Sequence, residues 1–187
     1  MYTFAPLTLE RFSDFENLFG ARGACGGCWC MFWKLPHKDF NLLTGAGTHQ
    51  MQKSLVEQAV VPGILAYHGD QAVGWLAVEP RGEYPRLARS RVLKPVDQAE
   101  VWSVTCFYTA RLYRRKGVSI ALLREAVKYV SLRGGKIIEG YPVDTRNGKA
   151  PDPFVYTGLP GAFLDAGFME VARNSPTRPI YRYYIEA

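Results

Sequence analysis

The stretch 106-CFYTARLYRRKGVSIALLREAVKYV-130 decides the fold. It closes an apolar run, 101-VWSVTCFY-108, that is rich in β-branched and aromatic residues and too short for a typical helix, so the run reads as a strand. Past Gly117, residues Val118, Ala121, Leu122, Ala126, Tyr129 and Val130 recur at helical spacing. Arg124, Lys128 and Ser131 form the polar stripe of that helix, and Gly134-Gly135 end it. The segment 136-KIIEGYPV-143 then reads as a second strand. Strand, helix and strand in this order make a parallel unit, which is right-handed in nearly all cases. Arg111, Arg114, Arg115, Lys116 and Gly117 fall at its first strand-to-helix junction, where a helix offers unpaired N–H groups and the positive end of its dipole. Two readings compete there, a solvated charged turn and a cradle for a phosphate-bearing ligand.

Outward from this unit, Thr8 caps an expected helix over about 9 to 19, in which Leu9, Phe12, Phe15 and Phe19 share a face. Thr48 caps a second over about 49 to 59, with Met51, Leu55 and Ala59 on one side. The segments 63-GILAYH-68 and 72-AVGWLAV-78 flank the turn pair Gly69-Asp70 and read as a β-hairpin. A polar, proline-punctuated loop follows from Pro80 to about Gln98.

The 187 residues fit one domain spanning 1–187, large enough to bury a core without disulfides or a metal. The hydrophobic share of 48% and charged share of 21% are those of ordinary globular proteins, and no apolar run approaches the ~20 residues of a membrane span. The start, 1-MYTFAPLTLE, lacks the basic and apolar regions of a secretory signal, which places the protein in the cytoplasm. The net charge of +6 is spread widely and is densest from Arg111 to Lys116, which favours an anionic ligand at one place over a nucleic-acid track.

Three of the four cysteines lie in 25-CGGCWCMFWKLPH-37. Cys25, Cys28, Cys30 and His37 offer zinc-type ligands, but Cys28 and Cys30 are too close to share one zinc comfortably, and a second C-x2-C pair is absent. No metal is assigned. The same thiols suit burial among Met31, Phe32 and Trp33, and Cys106 reads as a buried structural thiol.

Arg114-Arg115-Lys116-Gly117-Val118-Ser119 resembles the pyrophosphate motif Q/R-x-x-G-x-G/A of the Gcn5-related N-acetyltransferases, with Ser119 where glycine or alanine is usual. The element order over roughly residues 50 to 185, and the late A-x(4)-GF-x-E-V within 156-YTGLPGAFLDAGFMEVAR-173, resemble the same family. CWCM, TCFY, EGYPVD and PTRP are similar to segments of a bacterial subgroup. The resemblance implies a mixed α/β fold, a central twisted sheet flanked by helices with a parallel strand-helix-strand unit that binds CoA. It implies acetyl-CoA as acyl donor, its pyrophosphate on the amides of Arg115, Lys116, Gly117, Val118 and Ser119, and the backbone of Cys106, Phe107 and Tyr108 on the pantetheine arm. Arg111, Arg114 and Lys116 add charge. The activity implied is direct transfer of an acetyl group to an amine, on a small molecule, with neither nucleic acid nor membrane as partner.

Such transfer needs a neutral amine, a polarised thioester carbonyl and a proton for the departing thiolate. Many family members protonate the thiolate with a tyrosine at the position held here by Phe163, which has no ionisable group. Tyr156, with Tyr108 behind it, is the substitute acid. Glu100 is the first candidate for base, with Glu79 and Asp144 as the others. Trp29 and Trp33 are expected to wall the acceptor pocket, because the segment after the first helix borders it in this fold. The aromatic C-terminal run Tyr181, Tyr183 and Tyr184 is expected to form an edge strand, a route to a homodimer. Two alternatives stand beside this reading: a non-catalytic acyl-CoA-binding or regulatory module, favoured by Phe163, and a zinc-stabilised interaction domain.

Overall fold

The computed structural model describes residues 1–146, 148 and 150–186. Seven strands make one sheet: β1 (Thr3–Pro6), β2 (Gly63–His68), β3 (Gln71–Pro80), β4 (Trp102–Thr109), β5 (Ile137–Gly140), β6 (Met169–Arg173) and β7 (Pro179–Tyr184). Their order is β1-β2-β3-β4-β5-β7-β6. Only β4 and β5 are parallel among these neighbours, as the strand-helix-strand reading requires.

Alternation along the strands splits the core in two. Ile64, Ala66, Leu76, Val78, Val104 and Phe107 face α5 (Val118–Ser131) and α6 (Pro160–Asp165). On the opposite face, Leu65, Trp75, Ala77 and Cys106 meet Phe12, Phe15, Leu18 and Phe19 of α1 (Phe12–Phe19) and Val56 of α3 (Ala46–Glu57). Between α1 and α3 run a glycine-rich loop and α2 (His37–Leu43), and α4 (Pro85–Ala88) interrupts the long loop after β3. Trp75 is fully buried at the centre of the sheet, where an indole removes more apolar surface from water than any other side chain.

A buried ionic network ties that long loop to the sheet. Arg81 donates to the Glu139 carboxylate (2.8 Å) and the Tyr141 hydroxyl (2.6 Å). Arg182 donates to the other Glu139 oxygen (2.8 Å) and, through two nitrogens, to Asp97 (2.6 and 3.1 Å). Each buried charge therefore has an opposite charge and further hydrogen bonds, the condition under which burial is tolerated.

Several expectations need correction. The aromatic run does not lie on an edge strand: β7 is an inner strand, paired with β5 from Tyr181 to Tyr184 and with β6 from Pro179 to Arg182, so only Tyr183 and Tyr184 extend past β6. The first helix opens with a 3-10 turn, Leu9–Arg11, and the Thr8 hydroxyl accepts from Arg11 instead of capping. α3 starts at Ala46, so Thr48 sits within its first turn, accepting from the Gly45 N–H and donating to the Gly27 carbonyl. The second strand of the parallel unit stops at Gly140, because Val143 and Asp144 donate to Gly158 and Thr177. β1 and α2 carry too little periodicity to be read from sequence. Among the described residues, no helix is long and apolar enough to cross a membrane.

Candidate functional site

β4 and β5 pair only from Trp102–Ile138 to Val104–Gly140. Beyond that point they part, and β4 continues alone through Cys106, Phe107, Tyr108 and Thr109 while β3 holds its other side. The chain 155–158 lies in the opening. The Phe107 N–H donates to the Tyr156 carbonyl (2.6 Å), and the Val143 N–H donates to the Gly158 carbonyl (2.9 Å), so this short strap bridges the two diverging strands. Thr157, between those two carbonyls, is buried, and its hydroxyl has no hydrogen-bond partner.

The opening leads to the basic turn. Gly117 is left-handed (φ 78), caps α5 by position, and leaves the helix start without a side-chain cap. A Cβ on Gly117 would meet nothing within 4 Å, so the space above the helix start is clear. Arg115 is also left-handed (φ 58), a conformation that costs a non-glycine residue about 1 kcal/mol or more and is retained where the surroundings impose it. The ladder of α5 begins with Ala121 donating to Gly117, which leaves the N–H groups of Val118, Ser119 and Ile120 outside it. Arg111, Arg114, Arg115 and Lys116 are exposed, and Arg114 donates to the Thr109 carbonyl at the end of β4 (3.2 Å).

Side chains of β4 alternate around this backbone. Phe107 packs edge-on against Phe163, while Tyr108 lies 5.2 Å from Phe19 on the opposite face. Cys106 brings its sulfur to 3.1 Å from that of Cys30, which also accepts from the Trp75 indole (2.9 Å). Burial pushes the Cys30 thiol up, and the Cys28 thiol to about 11, so these are protonated, inert sulfurs. Cys25 is exposed and His37 faces Asn41, so the cysteine cluster does not converge. Among the described residues no three His, Cys, Asp or Glu side chains are grouped to hold a metal.

Tyr156 is placed at the strap, half-buried, beside Phe32 (ring centroids 6.1 Å). Burial pushes its phenol well above the ordinary tyrosine value. The Trp33 indole N–H lies against that hydroxyl and favours its charge, yet it makes no hydrogen bond of ordinary geometry. Phe163 is fully buried among Phe107, Phe168 and Tyr181.

Two candidates fall outside this group. Glu100 is exposed and lies seven residues before Phe107, about 23 Å along an extended strand, so the structure does not bring it to Tyr156. Of the other candidate bases, Glu79 is buried, paired with Lys34 at 2.7 Å and shifted upward by desolvation against the pull of that ammonium. Trp29 stacks on Phe19 and meets His49, lining a separate open groove of about 1000 Å³ between α1 and α3. Trp33 packs with Tyr84 and Tyr141, so the two tryptophans do not form one wall. Asp144 pairs with Arg173 at 2.7 Å, and a backbone N–H from Arg146 leads the causes that hold its carboxyl low.

No protein-family sequence model and no curated protein matches the chain. Solved structures match over its whole length. An acetyltransferase of the GNAT family from Streptococcus agalactiae is 9% identical, with 100% of this chain and 96% of that one covered and a TM-score of 0.59. Another from Streptococcus pneumoniae is 12% identical over 100% of both chains, TM-score 0.55. The PaiA N-acetyltransferase of Thermoplasma acidophilum, solved with coenzyme A, is 12% identical over 98% and 99%, TM-score 0.54.

The fold is that of the Gcn5-related N-acetyltransferases. In this fold Phe107 and Tyr156 meet where β4 and β5 have parted, and β4 leads on in the chain to the uncapped start of α5 at Arg115 to Ser119; Glu100 lies before β4 and Trp29 lines a separate groove. Thr157 and the strap were missed in sequence because their signal is only a buried hydroxyl in an irregular segment.

Proposed function

We propose that the protein binds acetyl-CoA and transfers its acetyl group to a primary amine on a small molecule. One observation carries this reading: parallel strands that part after Val104 and Gly140, opening toward a glycine-led, uncapped helix start. The residues suit the donor. Backbone N–H groups at Val118 and Ser119, with clear space above Gly117, fit a pyrophosphate, and exposed Arg114, Arg115 and Lys116 attract it. The coenzyme A seen in the Thermoplasma structure supports the same choice.

The bound thioester supplies an activated acetyl group, and the chain supplies the rest. The Phe107 N–H is the electrophilic donor for the thioester oxygen, once the Tyr156 carbonyl releases it. Tyr156, held protonated by burial, gives its proton to the leaving sulfur as the carbon–sulfur bond breaks, and the surplus proton of the newly acetylated nitrogen, passed directly or through water, restores the phenol. Burial of the Tyr156 phenol and the positive charge of Arg178 acting on it together favour a neutral amine over an ammonium.

Calorimetric titration of reduced protein with acetyl-CoA, alongside Gly117→Asp, tests the reading. Tight binding by the wild type and its loss in the folded variant are expected. Absence of binding by the wild type overturns it.

A further inference from the structure

Two thiols 76 positions apart in the chain touch in the core. Cys30, on the loop between α1 and α2, donates from its sulfur to that of Cys106 on β4 (3.1 Å), and the Trp75 indole N–H donates to the Cys30 sulfur (2.9 Å). Both cysteines are buried. A disulfide bond is shorter than this contact by only about 1 Å, so a small movement of one side chain brings the two sulfurs to bonding distance. The other two cysteines are turned elsewhere. Cys25 is exposed, and Cys28 directs its sulfur to the Gly23 carbonyl (3.7 Å).

The backbone of the loop holds Cys30 in this place against its own preference. Trp29 and Cys30 are both left-handed (φ 42 and 58), as is Ala24 (φ 65), a conformation that non-glycine residues keep only where their surroundings impose it. Packing imposes it here: Trp29 stacks on Phe19 (ring centroids 5.7 Å), and Met31 is buried on the other side of Cys30. The start of the loop is freer. Gly20 and Gly26 have positive φ and open space where a Cβ would stand, so the loop can hinge there and lift Cys30 from the sheet.

We propose that Cys30 and Cys106 form a redox site, at which exchange with a low-molecular-weight disulfide joins the two sulfurs and latches the loop to β4. Burial keeps Cys30 protonated and unreactive while the loop is down. Once the loop lifts, the Cys30 thiolate attacks the sulfur–sulfur bond of the oxidant, forming a mixed disulfide and releasing one small thiol. As the loop settles, Cys106 attacks the Cys30 sulfur of that mixed disulfide, the Cys30–Cys106 bond forms, and the second small thiol leaves. Two electrons pass from the cysteines to the oxidant, and the two cysteine protons end on the released thiols. The latched loop carries Gly26, Gly27 and Trp29, so the redox state sets the mobility of one wall of the open groove between α1 and α3. None of this depends on the acetyl-CoA reading.

The test incubates the full reduced chain with oxidised glutathione for as long as iodoacetamide needs to label Cys30 in a parallel sample. Unreduced peptides are then read by mass spectrometry. A peptide pair joining Cys30 to Cys106 is expected, about 2 Da lighter than its reduced parts and abolished by dithiothreitol. Cys25→Ser should leave that product unchanged, and Cys106→Ser should remove it. In the oxidised protein, amide exchange over the loop should slow at least about tenfold, and the urea midpoint should rise because the cross-link restricts the unfolded chain. Recovery of Cys30 and Cys106 as free thiols or as glutathione adducts, pairing of either mainly with Cys25 or Cys28, or a cross-linked loop that exchanges as fast as the reduced one would overturn the proposal. Should Cys106→Ser not fold, the wild-type peptides and exchange rates decide alone.

Discussion

Phe163 stands where the family resemblance places a proton-donating tyrosine, and its surroundings explain why a hydroxyl there would be useless. The ring is closed in by Phe107, Phe168 and Tyr181, and its edge fills the space that Gly140 leaves empty: a Cβ on Gly140 would fall 2.1 Å from Phe163 Cε1. Gly140→Ala is therefore expected to destabilise the fold by about 1–3 kcal/mol through overpacking, read as a lower urea midpoint at unchanged slope. The proposed acid is therefore Tyr156. Tyr156→Phe should lower kcat about a hundredfold with acetyl-CoA affinity intact, measured by thiol release and calorimetry. Because burial raises the Tyr156 phenol, the group stays protonated through and beyond the ordinary tyrosine range near ~10. The alkaline fall in wild-type kcat attributable to losing that proton should accordingly lie above pH ~10, and a fall centred lower would remove Tyr156 as the acid.

At the scale of an element, the strap 155–158 matters most, because it holds the backbone donor proposed for the thioester, the Phe107 N–H. Its two bonds differ in fate. When acetyl-CoA enters, the Phe107 N–H exchanges one acceptor for another, whereas the Val143 N–H loses the Gly158 carbonyl if the strap moves away. Hydrogen exchange read by amide NMR should therefore show Phe107 protected with and without acetyl-CoA, and Val143 protected only without it. Unchanged protection at Val143 in saturated protein would mean that the strap stays in place. α5 was legible in the sequence because a strand, a glycine and a 3.6-residue period occur in succession. The strap was not, since 141–159 has no period, and its position comes from two long-range carbonyls that no local pattern encodes.

For the whole molecule, alternation and helical spacing carried the sheet, the parallel unit and the two-faced core, because those patterns are consequences of burial on one side. What failed were statements about partners distant in sequence. The aromatic run of β7 has the composition of an edge, yet it belongs to an inner strand, with β5 along Tyr181 to Tyr184 and Glu170 of β6 opposite Tyr181. Trp29 and Trp33 are four residues apart, but Trp29 adopts a left-handed backbone (φ 42) and the two rings go to different clusters. Glu100 looked well placed only until the direction of β4 put it at the far end. The touching thiols of Cys30 and Cys106 have a use of their own. They join the loop behind α1 to the central strand, and both are shut away while Cys25 lies open. In a maleimide labelling time course, Cys25 should react at once, whereas Cys30 and Cys106 wait for the loop to lift from the sheet, which gives the molecule a built-in clock for its own opening.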